Sequence, residues 1–207
     1  VLSQEKQAME NAFLGFCRAG MQGFFNNLTP QQFVFDKSRE WSIHYNLLNM
    51  LNENPKIVCM VRDVRSVYSS MEKNFRKNPH RENHVQNAPQ LVGTTLDKRI
   101  NIWADGLPVG VSMDRLKDCI QQGIAKKMLF IRYEDLMANP EIEMKRLYEY
   151  FELPYYELHD FENIVQITHE NDLIHGIYGD HTLRPKFEKN EDDYNEVLGY
   201  ELSNSIK

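Results

Sequence analysis

The chain has 207 residues, 42% hydrophobic and 26% charged, an ordinary composition for one globular domain with a buried core that excludes collagen, coiled coil and wholesale disorder. Its 24 Lys and Arg against 30 Asp and Glu give a net charge of −6, which excludes a protein that coats nucleic acid through a general basic surface, so an anionic ligand needs a local basic patch. Three scattered cysteines, Cys17, Cys59 and Cys119, form neither a disulfide framework nor a Cys/His metal spacing, and a reducing, cytoplasmic compartment is expected.

From Ser3 to Leu28 the residues Ala8, Ala12, Phe13, Phe16, Met21, Phe24 and Phe25 recur at helical spacing, and Thr29-Pro30 ends the helix. The apolar runs are all far shorter than the ~18 residues of a membrane span. Phe33-Val34-Phe35 reads as a short buried strand, near 33 to 36. Trp41 to Leu51 returns to helical spacing with Ile43, Leu47, Leu48 and Leu51 inward, and Asn52-Glu53-Asn54-Pro55 breaks it. Lys56 to Arg62 is a second strand, whose continuous Ile-Val-Cys-Met-Val run fits a strand covered on both faces in a parallel sheet.

A helix over Val64 to Asn78 and a polar loop over Pro79 to Thr95 follow. Leu96 to Lys127 is mostly helical with a break at Gly106-Leu107-Pro108, and Met128 to Tyr133 is a third strand. Beyond Asn139-Pro140, Glu141 to Phe151 is an amphipathic helix with Met144, Leu147, Tyr148 and Phe151 inward; from Pro154 the pattern weakens into short helices and loops. Trp41 and Trp103 are expected in the core. Strands alternating with helices, with no repeat or linker, indicate a single α/β domain over residues 1–207.

The chemistry concentrates where the strand at Ile57 to Val61 runs into Arg62-Asp63-Val64-Arg65-Ser66. Ligands of open α/β sheets sit beyond the carboxyl ends of strands, where helix N-termini offer N–H groups and partial positive charge. Residues 62 to 81 carry six basic side chains (Arg62, Arg65, Lys73, Arg76, Lys77, Arg81) against Asp63 and Glu72, a net +4 inside an acidic protein. Arg62 can grip a phosphate through two parallel hydrogen bonds; the alternative is a solvated basic helix whose Arg62 pairs with a carboxylate.

Arg62 and Ser70, eight residues apart across a strand-to-helix junction, resemble the 3'-phosphate-binding element of sulfotransferases that use 3'-phosphoadenosine 5'-phosphosulfate (PAPS). Ile131-Arg132-Tyr133-Glu134-Asp135, with Asn139-Pro140 and Leu153-Pro154 behind it, is similar to the family's strand, Tyr-Glu-Asp, Asn/Asp-Pro, helix, Leu-Pro order. Phe35-Asp36-Lys37-Ser38 resembles the strand-Lys-Ser/Thr segment beside the transferred group. The resemblance covers about residues 31 to 155 and implies a P-loop-type three-layer fold with a central parallel sheet flanked by helices.

It also implies roles. Lys37 would contact the transferring sulfuryl group; Arg62 and Ser70 would hold the 3'-phosphate; Tyr133 would lie near the adenine end; Thr168 would contact the nucleotide; and Arg184 and Lys186 would close over the 3'-phosphate. The cofactor implied is PAPS, leaving 3',5'-adenosine bisphosphate, with no metal. In the cytosolic branch the base is a His two residues after the Lys; here Arg39 stands in that place, and Glu40 and His44 are the substitutes. None of the ten glycines precedes a Lys, so the family's Gly-rich 5'-phosphosulfate loop is expected upstream, as part of a longer protein. Gly93-Thr94-Thr95 mimics part of that loop but reads better as a Thr-capped turn into a helix. The six acids of residues 188 to 201 read as a solvated face.

The reading is a sulfotransferase moving a sulfuryl group from PAPS to the hydroxyl or amine of a small-molecule, sugar, lipid or peptide acceptor. The alternative is a non-catalytic nucleotide-binding or interaction module of the same fold. A P-loop kinase is disfavoured, because neither a Lys-bearing loop nor an acidic Mg²⁺ ligand after a strand is present.

Overall fold

The computed structural model describes residues 2–38, 40–52, 54–77, 89–167, 183–187 and 193–206. The chain divides into two compact units, one comprising Val1–Ile57 with Arg115–Met128 and the other Val58–Asp114 with Leu129–Lys207.

In the first unit a long helix α1 (Leu2–Leu28) and a short helix α2 (Tyr45–Leu51) are joined by an irregular segment. The guanidinium of Arg18 donates to the carbonyls of Met50 and Leu51, placing a cation on the carbonyl end of α2, where the helix dipole favours it. Tyr45 is buried, with Lys127 Nζ 5.2 Å from its ring centroid.

Three expectations are corrected in this unit. Residues 33–38 form no strand, and Phe33, Val34 and Phe35 are exposed, because a short apolar run by itself does not make a ladder. Residues 41–44 form a turn rather than the first turn of a helix, so Ile43 and Leu47 are exposed while Tyr45 takes the inward position. Trp41 is half-buried rather than core, its indole N–H bonded to the Asp36 carboxylate.

The second unit holds β1 (Val58–Val61) and β2 (Leu129–Arg132), which pair in parallel with Val58 opposite Leu129 and Val61 opposite Arg132. The expected cover on both faces of β1 is not seen among the described residues, where the sheet has two strands and Met60 is 53% exposed. Helix α3 (Val64–Lys77) follows β1; α4 (Leu96–Asp105) is separated by the Gly106-Leu107-Pro108 break from α5 (Val109–Gln121), which runs on into the first unit. Gly110 sits at that break because a Cβ there would meet the Ala104 carbonyl oxygen at 2.1 Å. Thr95 caps α4 by accepting from the Lys98 amide, and Gly93 supplies a φ of +74° in the preceding turn, which is the capped turn the sequence suggested.

Short helix α6 (Tyr133–Ala138) leads straight out of β2 into α7 (Pro140–Phe151), which has proline in its first turn and half-buries Met144, Leu147, Tyr148 and Phe151 as expected. Helices α8 (Tyr194–Leu198) and α9 (Tyr200–Ser205) close the described chain. The core gathers Tyr68, Met71 and Phe75 of α3 with Leu91, Ile100, Trp103, Val109 and Leu198. Trp103 is fully buried and stacks on Tyr68 at 6.5 Å.

A buried ion pair runs through this core. Glu72 of α3 is fully buried and takes two bonds from Arg99 of α4, Nε to Oε2 at 2.8 Å and Nη2 to Oε1 at 2.7 Å. Arg99 also donates to the Thr94 carbonyl and lies 4.4 Å over the Phe75 ring, so its remaining surface is satisfied. Arg76 adds a third bond to Glu72 Oε1 at 2.7 Å from a side chain that is 55% exposed.

Glu72→Ala, which strands Arg99 in the core, is expected to lower stability by about 3–5 kcal/mol, whereas Arg76→Ala lowers it by less than about 1 kcal/mol. The double variant Glu72→Met/Arg99→Met is expected to recover most of the loss. Urea unfolding followed by tryptophan fluorescence measures all three, and equal losses from Glu72→Ala and Arg76→Ala would show that the buried pair does not hold α3 to α4.

Candidate functional site

Parallel strands in register deliver the residues that follow them to the same place. With Val61 opposite Arg132, the next residues are Arg62 and Tyr133, then Asp63 and Glu134. The guanidinium carbon of Arg62 lies 4.3 Å from the Tyr133 ring centroid, a cation–π contact at the carboxyl end of the sheet. Two expected site residues, 62 and 133, are thereby brought together, with the difference that Tyr133 opens α6 instead of ending the strand.

Arg62 is half-buried, and among the described residues no carboxylate pairs with it; its buried Nε has no hydrogen-bond acceptor. The neighbouring acid does not serve it. Asp63 Oδ1 accepts from the Arg65 amide at 2.9 Å and from Arg65 Nε at 3.0 Å, and Oδ2 accepts from Arg65 Nη2 at 2.6 Å. These bonds, the Arg65 side chain first, hold the Asp63 carboxyl below the usual carboxylate range and push the Arg65 guanidinium up. Arg65 in turn lies 4.4 Å over the Tyr194 ring. Asp63 is thus the N-cap of α3, its carbonyl accepting from the Val67 amide at 3.1 Å.

The Asp63 amide donates across the sheet end to Glu134 Oε1 at 2.9 Å. In a capping box this acceptor comes from the third helical residue, but here that residue is Ser66, and the carboxylate is supplied by an element 71 residues away. The sequence does not disclose this role: the Tyr-Glu-Asp run is recognisable by its order, but no local signal says which amide the Glu bonds.

Ser70 is exposed on α3, one turn beyond Ser66. Lys37 lies in the first unit, exposed in the irregular segment 33–38; Glu40 there pairs with Arg115 at 3.1 Å, and His44 is exposed at the start of α2. Arg184 and Lys186 are exposed on segment 183–187, which is bonded to 161–166 through the Ile164 amide and the Pro185 carbonyl and through the Phe187 amide and the Phe161 carbonyl. Thr168 and Arg39 lie outside the described residues. Among the described residues no group of three or more His, Cys, Asp or Glu could hold a metal ion, and no helix is long and apolar enough to cross a membrane.

Residues 3–157, three-quarters of the sequence, match the profile described as the Sulfotransferase family, and the chain belongs to that family. The matched stretch contains β1, α3, β2 and the Arg62–Tyr133 contact. No curated protein and no solved structure matches the chain.

Because the folded-state carboxyl of Asp63 titrates below its ordinary value, its contribution is complete above the unfolded value of ~3.9 and is lost as pH falls through the lowered one. Wild-type protein is therefore expected to exceed Asp63→Asn in urea stability by a constant margin above about pH 5, and the margin narrows below about pH 4. A margin that stays unchanged down to pH 2 would mean that the Arg65 bond does not favour the ionised acid.

Proposed function

We propose that the protein is a PAPS-dependent sulfotransferase, a single domain of the P-loop three-layer type in which β1 and β2 are neighbouring central strands. The observation that carries this reading is Arg62. It is a half-buried cation whose Nε lacks an acceptor, stacked on an aromatic ring at the carboxyl end of two parallel strands, in a chain of the sulfotransferase family. Among the described residues no carboxylate balances this guanidinium, and an oxyanion at the sheet end would supply the missing charge. Tyr133 sets an aromatic ring against that cation, so the phosphate and the base of one nucleotide would find partners side by side.

In this reading Arg62 binds the 3'-phosphate in a charge-assisted bond, Ser70 adds a neutral hydroxyl donor from α3, and Tyr133 lies near the adenine end. When bound, PAPS supplies the sulfuryl group that is transferred to an acceptor oxygen or nitrogen. Lys37 is the proposed cation for the transferring group, and Thr168, Arg184 and Lys186 are proposed further nucleotide contacts. Glu40 and His44 are the candidate bases for the acceptor.

The test is a comparison of two nucleotides by calorimetry on the full-length protein. 3',5'-Adenosine bisphosphate is expected to bind ~10- to 150-fold more tightly than adenosine 5'-monophosphate, the worth of one charge-assisted bond of about 1.5–3 kcal/mol. Arg62→Ala should remove most of the preference. Arg76→Ala should leave it, since that side chain is committed to Glu72. Equal affinities, or equal losses from the two substitutions, would assign Arg62 a structural role and remove the ground for the reading.

A further inference from the structure

Glu134 makes a bond that neither the strand register nor the helix cap requires. Its Oε1 accepts from the Asp63 amide at 2.9 Å, and that amide belongs to the peptide plane joining Arg62 to Asp63. Fixing the plane fixes ψ of Arg62 and with it the direction in which the side chain leaves the backbone. The adjacent residue, Tyr133, fixes the other end of the same side chain through the 4.3 Å ring contact. One arginine is therefore gripped at its backbone and at its guanidinium by two consecutive residues of the neighbouring strand's exit, and its Nε is left without a partner.

We infer that Glu134 is a positioning residue for Arg62: by holding the Arg62–Asp63 peptide across the sheet end, it sets the guanidinium in the orientation that accepts an anion. This rests on the proposed nucleotide reading of the site. The arrangement carries a cost, since a carboxylate near an anion site opposes the anion's charge. Its benefit is orientation, because a preorganised donor loses less on binding than one free to rotate. Acceptor reach at position 134, and not negative charge, is what the site uses.

Reach and charge are separated by two conservative substitutions in the full-length protein. Glu134→Gln keeps an oxygen at the same distance and removes the charge; Glu134→Asp keeps the charge and withdraws the oxygen by one methylene. The readout is the ratio of affinities for 3',5'-adenosine bisphosphate and adenosine 5'-monophosphate, which a general loss of folding lowers for both ligands alike. The Gln variant is expected to hold the wild-type ratio within about twofold, and the Asp variant to lose roughly tenfold of it. In an Arg62→Ala background, Glu134→Asp is expected to change the ratio no further.

The opposite order, with Asp keeping the ratio and Gln losing it, would overturn the inference. So would a wild-type ratio in both variants, or the same tenfold loss with Arg62 absent. A wild-type protein that does not distinguish the two nucleotides would overturn the functional reading itself, whereas a clear preference that ignores residue 134 would overturn the positioning role alone.

Discussion

The site depends on one constraint, the register of two four-residue parallel strands. With Val61 opposite Arg132, each strand turns directly into a helix, and the two turns meet residue by residue. A slip of one residue in a ladder of period two reverses the face on which each side chain stands. It would remove the Tyr133 ring from beneath Arg62 and the Glu134 carboxylate from the Asp63 amide. Ile131, 3% exposed, secures the register by being the β2 residue that cannot face water without a large loss of burial.

Charge is distributed around that turn with a clear division. The basic character of residues 62 to 77 suggests a diffuse positive surface, yet two of its arginines are already occupied. Arg65 is bound to Asp63 and Arg76 to the buried Glu72. Arg62 is supported by a ring, and among the described residues no ion pair cancels its charge. An acidic protein can in this way present one directed cation without a basic face. The Glu72–Arg99 pair contributes indirectly, since it ties α3, the helix that Arg62 precedes, to α4 and the core.

Much of this was legible in the sequence where a signal is local. The apolar run before Arg62, the Asn-Pro that opens α7 and the Thr before α4 announce a strand end, a helix start and a cap, and the structure has each. Legibility ends where a partner is distant. Glu72 and Arg99 are 27 residues apart and Asp63 and Glu134 are 71 apart, and nothing in either local pattern names the other. The strand expected at 33 to 36 failed for a related reason: three apolar residues in a row satisfy a strand's composition, but context decides whether one forms, and residues 33–38 take no strand conformation. Trp41 shows the same limit, its size suggesting the core while its indole N–H is drawn to Asp36 near the surface.

The proposed role of the Arg62–Tyr133 contact is to seat a nucleotide's phosphate at the cation with its base nearby. A crystal structure of the full-length protein with 3',5'-adenosine bisphosphate examines it most directly. The expected result is the 3'-phosphate within hydrogen-bond distance of the Arg62 guanidinium, with Glu134 still bonded to the Asp63 amide. A nucleotide bound elsewhere, with Arg62 Nε left without an acceptor against Tyr133, would contradict it.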